Sequence, residues 1–212
     1  IVAELDNYQK IIDGAKQVVE NYRPKIKIDP NWEIVELREV ANVISGQSPD
    51  GKYYNEDGNG MPFYQGKTEF ADIYIGEPKK WTTSVTKEAE KDDVLMSVRA
   101  PVGPVNLSTQ KVCIGRGLSA IRTNGRINQM FLFYYLKNAE NSICGGGGSV
   151  FDSINREQIK RISIPFPPLD VQRKIVKDIK QEYKIINENK KLIEIFEAKI
   201  KDKIKEIWGD SD

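Results

Sequence analysis

Gln65 and Lys67 stand on either side of a glycine in Tyr64-Gln65-Gly66-Lys67, where a short loop presents both side chains. Glutamine pairs with the edge of adenine and lysine with the acceptors of guanine, so this spacing suits the reading of base edges. The equal alternative is that Gln65 satisfies a buried backbone group. Lys79, Lys80 and Trp81 join two cations to a ring able to stack, although a tryptophan more often serves the core. Lys52, Tyr53 and Tyr54 fall in a loop dense in Gly, Asn and Asp (Gly46 to Gly60), where tyrosine hydroxyls would reach phosphates. From Val94 to Ala139 there is no Asp or Glu, while Arg99, Lys111, Arg116, Arg122, Arg126 and Lys137 stand there. Core strands exclude acids in any case, but a carboxylate-free face bearing cations is also what a phosphate-contacting surface needs, and Arg99 and Arg116 suit phosphate or guanine. Gly145 to Ser149, with Gly146, Gly147 and Ser149 as its candidate contacts, is either a backbone free to approach a ligand closely or a plain surface loop.

Other chemistry is excluded by residue type. The chain has no histidine, which removes Ser–His and Cys–His nucleophilic sites and His-ligated zinc. Cys113 and Cys144 form neither a disulfide framework nor a metal spacing, so a reducing cytoplasm is expected. Pro49-Asp50 with Glu77-Pro78-Lys79 imitates a metal-dependent nuclease pattern, yet charged residues make up 30% of the chain, so such a match arises by composition, and Pro78 weakens the strand it would need. Pro165-Phe166-Pro167-Pro168-Leu169 lacks the acid or amide that an adenine methyltransferase places before its prolines. The four-glycine run lacks the Lys-Ser/Thr of a phosphate-binding loop. No catalytic constellation and no cofactor are expected. A net charge of +1 argues against a polybasic binder acting on phosphates alone. No run approaches the roughly 18 apolar residues of a membrane span, and nothing resembles a secretion signal. The chain opens at Ile1 and is expected to be a piece of a longer protein.

The elements that must hold these residues are bracketed by a repeat. Ile1 to Glu20 aligns without a gap on Ile175 to Glu194. Apolar residues recur at steps of four and three in both copies: Leu5, Tyr8, Ile12, Ala15, Val19 and Tyr22 after Ile1, and Ile179, Ile186, Ile193, Phe196, Ile200 and Ile207 after Ile175. Glu182, Asn189 and Lys203 interrupt the second stripe. Such spacing keeps one stripe of a helix apolar over several turns, as in coiled coils. Helix one should stop near Tyr22 before Pro24, and helix two should run from about Leu169 to Trp208, roughly 60 Å. The pair is expected to lie antiparallel through Leu5, Ile12, Val19, Ile179, Ile186, Ile193 and Ile200. Between them, Lys25 to Asn31 is a linker. WEIVELREVANVIS should be a short strand or turn followed by an amphipathic helix. PFYQG, IYIG, DVLMSVR, VNLS and LSAIR are strand-like, punctuated by Gly and Pro, and predict a mixed, strongly bent sheet. Asn128 to Lys137 and Ser153 to Lys160 are short helices, and ISIPF a strand.

These residues together resemble the DNA-specificity subunit of type I restriction–modification enzymes, in particular its C-terminal half. The resemblance is carried by Trp32 with Leu37, Gly46-Gln47-Ser48-Pro49, Met61 to Lys67, Lys91 to Gly103, Cys113-Ile114-Gly115-Arg116-Gly117 and Ile162 to Gln172. It implies an α+β chain in three parts: the end of a central spacer helix (residues 1–24), a linker and target recognition domain (25–168) at one end of the helical arm, and a C-terminal spacer helix (169–212). It further implies a subunit without catalysis of its own, reading one half of a split duplex DNA site. Methyltransferase subunits and a restriction and motor subunit would dock on the assembly. Two alternatives are a coiled-coil scaffold that binds no DNA and the recognition region of a single-chain restriction–methyltransferase enzyme. Because helix two is the longer, an overhang at Phe196, Ile200 and Ile207 is expected to support self-association.

Overall fold

The structure, a computed structural model, describes residues 2–143 and 153–209. In chain order it runs α1 (Val2–Asn21), β1 (Ile34–Glu36), α2 (Leu37–Val40), β2 (Ala41–Ser45), β3 (Tyr54–Asn55), β4 (Met61–Tyr64), β5 (Trp81–Thr82), β6 (Glu88–Ala89), β7 (Val94–Ser97), β8 (Val105–Leu107), β9 (Val112–Ile114) and β10 (Leu118–Thr123). There follow α3 (Gln129–Asn138), α4 (Glu140–Ile143), α5 (Arg156–Lys160), β11 (Ser163–Pro165) and α6 (Leu169–Trp208). The chain divides into two units, a helical one of Ile1–Lys25 with Val176–Asp212 and a sheet-bearing one of Ile26–Ile175.

In the helical unit the apolar stripe of α1 is enclosed at Ile12 and Ala15, with Leu5, Tyr8 and Val19 half-buried beside them. Ile179, Tyr183 and Ile186 are the buried counterparts on α6, with Ile193, Phe196 and Ile200 half-buried further along. The helices run antiparallel. Tyr8 near the start of α1 meets Phe196 late in α6 with ring centroids 5.2 Å apart, and Tyr22 meets Tyr183 at 5.5 Å. The place read as a polar interruption at Glu182 is filled by its neighbour Tyr183, since a straight helix of 3.6 residues per turn drifts from a strict heptad and brings the next residue into the seam. Glu182 stays outside and its carboxylate accepts the Tyr22 hydroxyl proton at 2.7 Å.

The expected overhang is not where the sequence placed it. Phe196 packs on Tyr8, and Ile200 is half-buried; the side chain of Ile207 lies outside the described residues. The surplus length of α6 lies at its N-terminal end, whose first turns belong to the sheet-bearing unit. Apolar side chains stay open at Val2, Ile11 and Val18 on α1 and at Leu169, Ile185, Leu192, Ile195 and Ile204 on α6, and among them Ile11, Val18, Ile185 and Leu192 form a matched set. Under the internal repeat Ile11 corresponds to Ile185 and Val18 to Leu192. On each helix they lie about 90° around from the seam, at 100° per residue.

The sheet-bearing unit holds a four-stranded sheet in the order β2-β10-β7-β8, a five-stranded sheet β3-β5-β4-β9-β6 and a pair β1-β11. All pairings are antiparallel except β4 with β9, so the sheet structure is mixed and falls into separate sheets. One core joins the two larger sheets: Leu95, Leu118 and Ala120 from the first meet Tyr64, Ala89, Val112 and Ile114 from the second. Each is a side chain of a strand short enough that one face of two or three residues supplies its whole contribution. The segment ANVIS, expected as helix, is strand β2. Its residues alternate between core and solvent, and all five pair with β10 from Ala41 opposite Thr123 to Ser45 opposite Ser119. Only a single turn, α2, precedes it, because the edge of β10 offers its backbone a ladder that outweighs one more turn of helix. IYIG is likewise held by isolated bridges, Phe70 with Ile75 and Tyr74 with Leu107. Asn128 caps α3 by accepting the Phe131 N–H at 3.1 Å, and Asn155 and Gln158 form a reciprocal capping box on α5.

Candidate nucleic-acid interface

The site is built by glycines that let three chain segments touch. β9 runs into Ile114-Gly115-Arg116-Gly117, and this segment lies backbone to backbone on Tyr64 and Gln65. The Gly115 N–H donates to the Tyr64 carbonyl at 2.8 Å and the Gly117 N–H to the Gln65 carbonyl at 3.1 Å. A Cβ on Gly117 would overlap that same Gln65 carbonyl oxygen, so only glycine fits there. Gly46 closes in from the other side for the same reason, against the Gly115 carbonyl. Gln47 N–H then bonds to the Ile114 carbonyl at 2.9 Å, and the Ser48 hydroxyl accepts the Arg116 N–H at 3.3 Å. Arg116 is thus held by both neighbours and its own backbone, while its side chain stays exposed.

Beyond β4, Gln65 and Gly66 lead into a single helical turn, Lys67–Glu69. This makes a short ridge with a fixed stem. Tyr64 is buried under it and donates its hydroxyl to the Gly76 carbonyl at 2.9 Å; burial pushes its pKa up to about 12. On the far side the Gly76 N–H donates to the Glu69 carbonyl at 2.7 Å. The side chains of Gln65, Lys67 and Thr68 are exposed. None makes a hydrogen bond or ion pair with a described residue, so Gln65 serves no buried backbone group among them. Two clefts flank the ridge. One, of about 560 Å³, is lined by Gln65, Lys67, Thr68, Arg99 and Arg116 among others. The other, of about 230 Å³, is lined by Gln65, Thr68, Glu69, Lys79 and Lys80 with Phe63 at its base. Lys80 is fixed beside β4 through its carbonyl, which accepts the Phe63 N–H at 2.8 Å.

The cations of the acid-free stretch meet different fates. Arg122 is bidentate to Asp93, with contacts of 2.7 to 3.1 Å, and those hydrogen bonds raise its pKa above the ordinary value. Lys111 lies 2.6 Å from Glu88 and 3.6 Å from Glu90. Lys137 pairs with Asp72 at 3.2 Å, and Arg126 donates to the Glu39 carbonyl at 3.1 Å beside the Phe166 ring. Arg99 and Arg116 have no ion-pair partner among the described residues. Six of the residues singled out from sequence, Gln65, Lys67, Lys79, Lys80, Arg99 and Arg116, are therefore gathered around one ridge.

Lys52, Tyr53 and Tyr54 are not part of this group. Lys52 lies 3.5 Å from Asp50 and over the Tyr53 ring. Tyr54 is half-buried, stacked on Phe63 at 4.8 Å with its hydroxyl on the Pro49 carbonyl. Trp81 is half-buried in β5. Gly146, Gly147 and Ser149 lie outside the described residues, as does Cys144. Thr68 was missed by the sequence reading, because an isolated threonine after Gly-Lys carries no signal until the turn exposes it beside Gln65. No three of His, Cys, Asp and Glu gather as a metal site among the described residues.

A family model described as the type I restriction modification DNA specificity domain matches residues 30–197, and the chain belongs to that family. It is 44% identical over 158 residues to a specificity subunit of Methanocaldococcus jannaschii assigned to the type I restriction enzyme MjaX, covering 73% of this chain and 37% of the relative. A second subunit of that organism, of the type I restriction enzyme MjaIX, is 25% identical over 182 residues, covering 81% of this chain and 42% of the relative. Among solved structures, the HsdS subunit from Thermoanaerobacter tengcongensis matches with a TM-score of 0.68 and 34% identity, over 95% of this chain and 51% of that one. A chain from a study of complex assembly and conformational transition of the type I R-M system matches with a TM-score of 0.76 and 33% identity, over 94% of this chain and 53% of that one. The chain thus spans about half the length of those two solved chains. No helix among the described residues is long and apolar enough to cross a membrane.

Proposed function

We propose that this chain recognises one half of a bipartite duplex DNA site as half of a type I specificity subunit, and that it leaves methylation and cleavage to partner subunits. The observation that carries the reading is the gathering of Gln65, Lys67, Arg99 and Arg116 around one open cleft. Here cations without local acids stand next to side chains suited to base edges. Residues 1–24 and 169–212 would then be spacer helices, and 25–168 the linker and recognition domain. The open stripe of Ile11, Val18, Ile185 and Leu192 supports docking of methyltransferase subunits on the helices, with the restriction and motor subunit joining through the complex.

Titration of the chain with duplex DNA at several salt concentrations tests the reading. With one reading head, a net charge of +1 and no partner to clamp the duplex, affinity should be micromolar or poorer at physiological salt and should strengthen as salt falls. Absence of duplex binding at low salt, both alone and with methyltransferase subunits, would overturn it. Purified chain supplied with S-adenosylmethionine should transfer no methyl group.

A further inference from the structure

The ridge and its two clefts say how a duplex would be held. Gln65, Gly66 and Thr68 are walls of both clefts, so the ridge separates them. One cleft carries Arg99 and Arg116, and the other carries Lys79 and Lys80 with the single carboxylate of Glu69, a net positive lining in both. An uncharged crest, apart from Lys67, therefore stands between two pairs of exposed cations. A single strand is bound differently, by a cationic groove with open rings on which bases stack. Among the described residues the only aromatic lining either cleft is Phe63, which is 3% exposed and already stacked on Tyr54. Two phosphate backbones with base edges between them are what a duplex groove presents. The major groove, about 12 Å wide, admits a protruding element of this kind and distinguishes all four base pairs.

Resting on the duplex-recognition reading above, we infer that the ridge Gln65–Thr68 enters the major groove, with Arg99 and Arg116 on the phosphates of one strand and Lys79 and Lys80 on those of the other. Thr68 joins Gln65 and Lys67 as a specificity-determining residue, its hydroxyl and methyl facing base edges. The stem is fixed before DNA arrives, because Gly115 and Gly117 pin the Tyr64 and Gln65 carbonyls, so little backbone ordering is needed on binding.

Phosphate-ethylation interference on each strand, combined with selection from a randomised duplex pool, tests this with the full chain. Arg99→Ala with Arg116→Ala should erase interference on one strand, and Lys79→Ala with Lys80→Ala on the opposite strand, across the groove from the first. Gln65→Ala, Lys67→Ala and Thr68→Val should each relax base preference at a position between those phosphates, by roughly 5- to 150-fold. All are exposed, and unchanged melting temperatures would confirm intact folding. Both cation pairs mapping to one strand, or ridge variants that weaken every duplex equally, would overturn the inference while leaving duplex recognition standing. A wild-type chain that selects no duplex would overturn both.

Discussion

Arg122 and Arg116 lie in the same carboxylate-free stretch, yet one ends in an ion pair and the other faces an open cleft. The difference is set by sheet register. Ile121 of β10 lies opposite Val94 of β7, so the next residue along, Arg122, comes beside Asp93 just before β7. Lys111 repeats the pattern on the other sheet: Val112 opposite Ala89 and Cys113 opposite Glu88 bring it to Glu88 and Glu90. Arg99 and Arg116 follow the ends of β7 and β9, where no described neighbouring strand supplies an acid. Net charge along a sequence is thus a poor guide to charge on a surface. What counts is whether a strand partner contributes the counter-ion.

This contrast can be broken by substitution. Arg122→Ala should have the largest effect. It leaves the Asp93 carboxylate, whose side chain is 4% exposed, without its cation. Because the Arg122 side chain is itself 39% exposed, the loss should fall between the ~0–1 kcal/mol of an exposed pair and the ~3–5 kcal/mol of a buried one, and with the Glu90 N–H still bonded to Asp93 at 2.8 Å about 2 kcal/mol is expected. The melting temperature should fall by roughly 4–8 °C, at ~2–4 °C per kcal/mol for a chain of this size, with the salt dependence of DNA binding unchanged. A variant as stable as the parent would mean that the pair is not the support described.

Gly117→Ala should come next. The added methyl meets the Gln65 carbonyl, so overpacking of about 1–3 kcal/mol is expected. Because the ridge itself is displaced, base preference should blur even at temperatures where the variant is fully folded. Preference kept intact in a folded variant would show that the Gly-Arg-Gly segment does not position the ridge.

The double change Arg99→Ala with Arg116→Ala should act in the opposite sense from Arg122→Ala. Stability should move by less than about 0.5 kcal/mol, as for exposed substitutions generally. The slope of log affinity against log salt should flatten by ~1.8, at ~0.9 per phosphate contact. An unchanged slope measured in the assembled enzyme would place the DNA on another face.

Lys111→Ala is expected to do least. Its partners Glu88 and Glu90 are partly exposed, and exposed pairs contribute ~0–1 kcal/mol. Neither melting temperature nor salt slope should shift measurably. A flattened slope would move Lys111 from the paired group into the DNA-facing one.

Regularity along the chain was enough to locate the two long helices. The four-and-three spacing placed α1 and α6 and the antiparallel seam. Asn128 marked the start of α3, whereas the short helix expected from Ser153 begins only at Arg156, after its cap Asn155; a periodic stripe is a local property that neighbouring residues settle among themselves. The motifs of the resemblance were also readable as motifs, and Gln172 in the last of them shows what one is for. Fully buried, its amide accepts the Asn128 N–H and donates to the Pro167 carbonyl, both at 2.7 Å, so it ties the entry of α6 to the cap of α3. Tertiary structure decided the rest. Strands such as β3, β5 and β6 have two residues each, too few for any period, and exist only because a partner's ladder receives them. ANVIS became strand for the same reason. The choice of Tyr183 over Glu182 in the seam, and of Arg116 over Arg122 as an open cation, depended on residues distant in sequence and adjacent in space. Pairing energy acts across the fold, and no local pattern of residue types records which acid a given cation will meet.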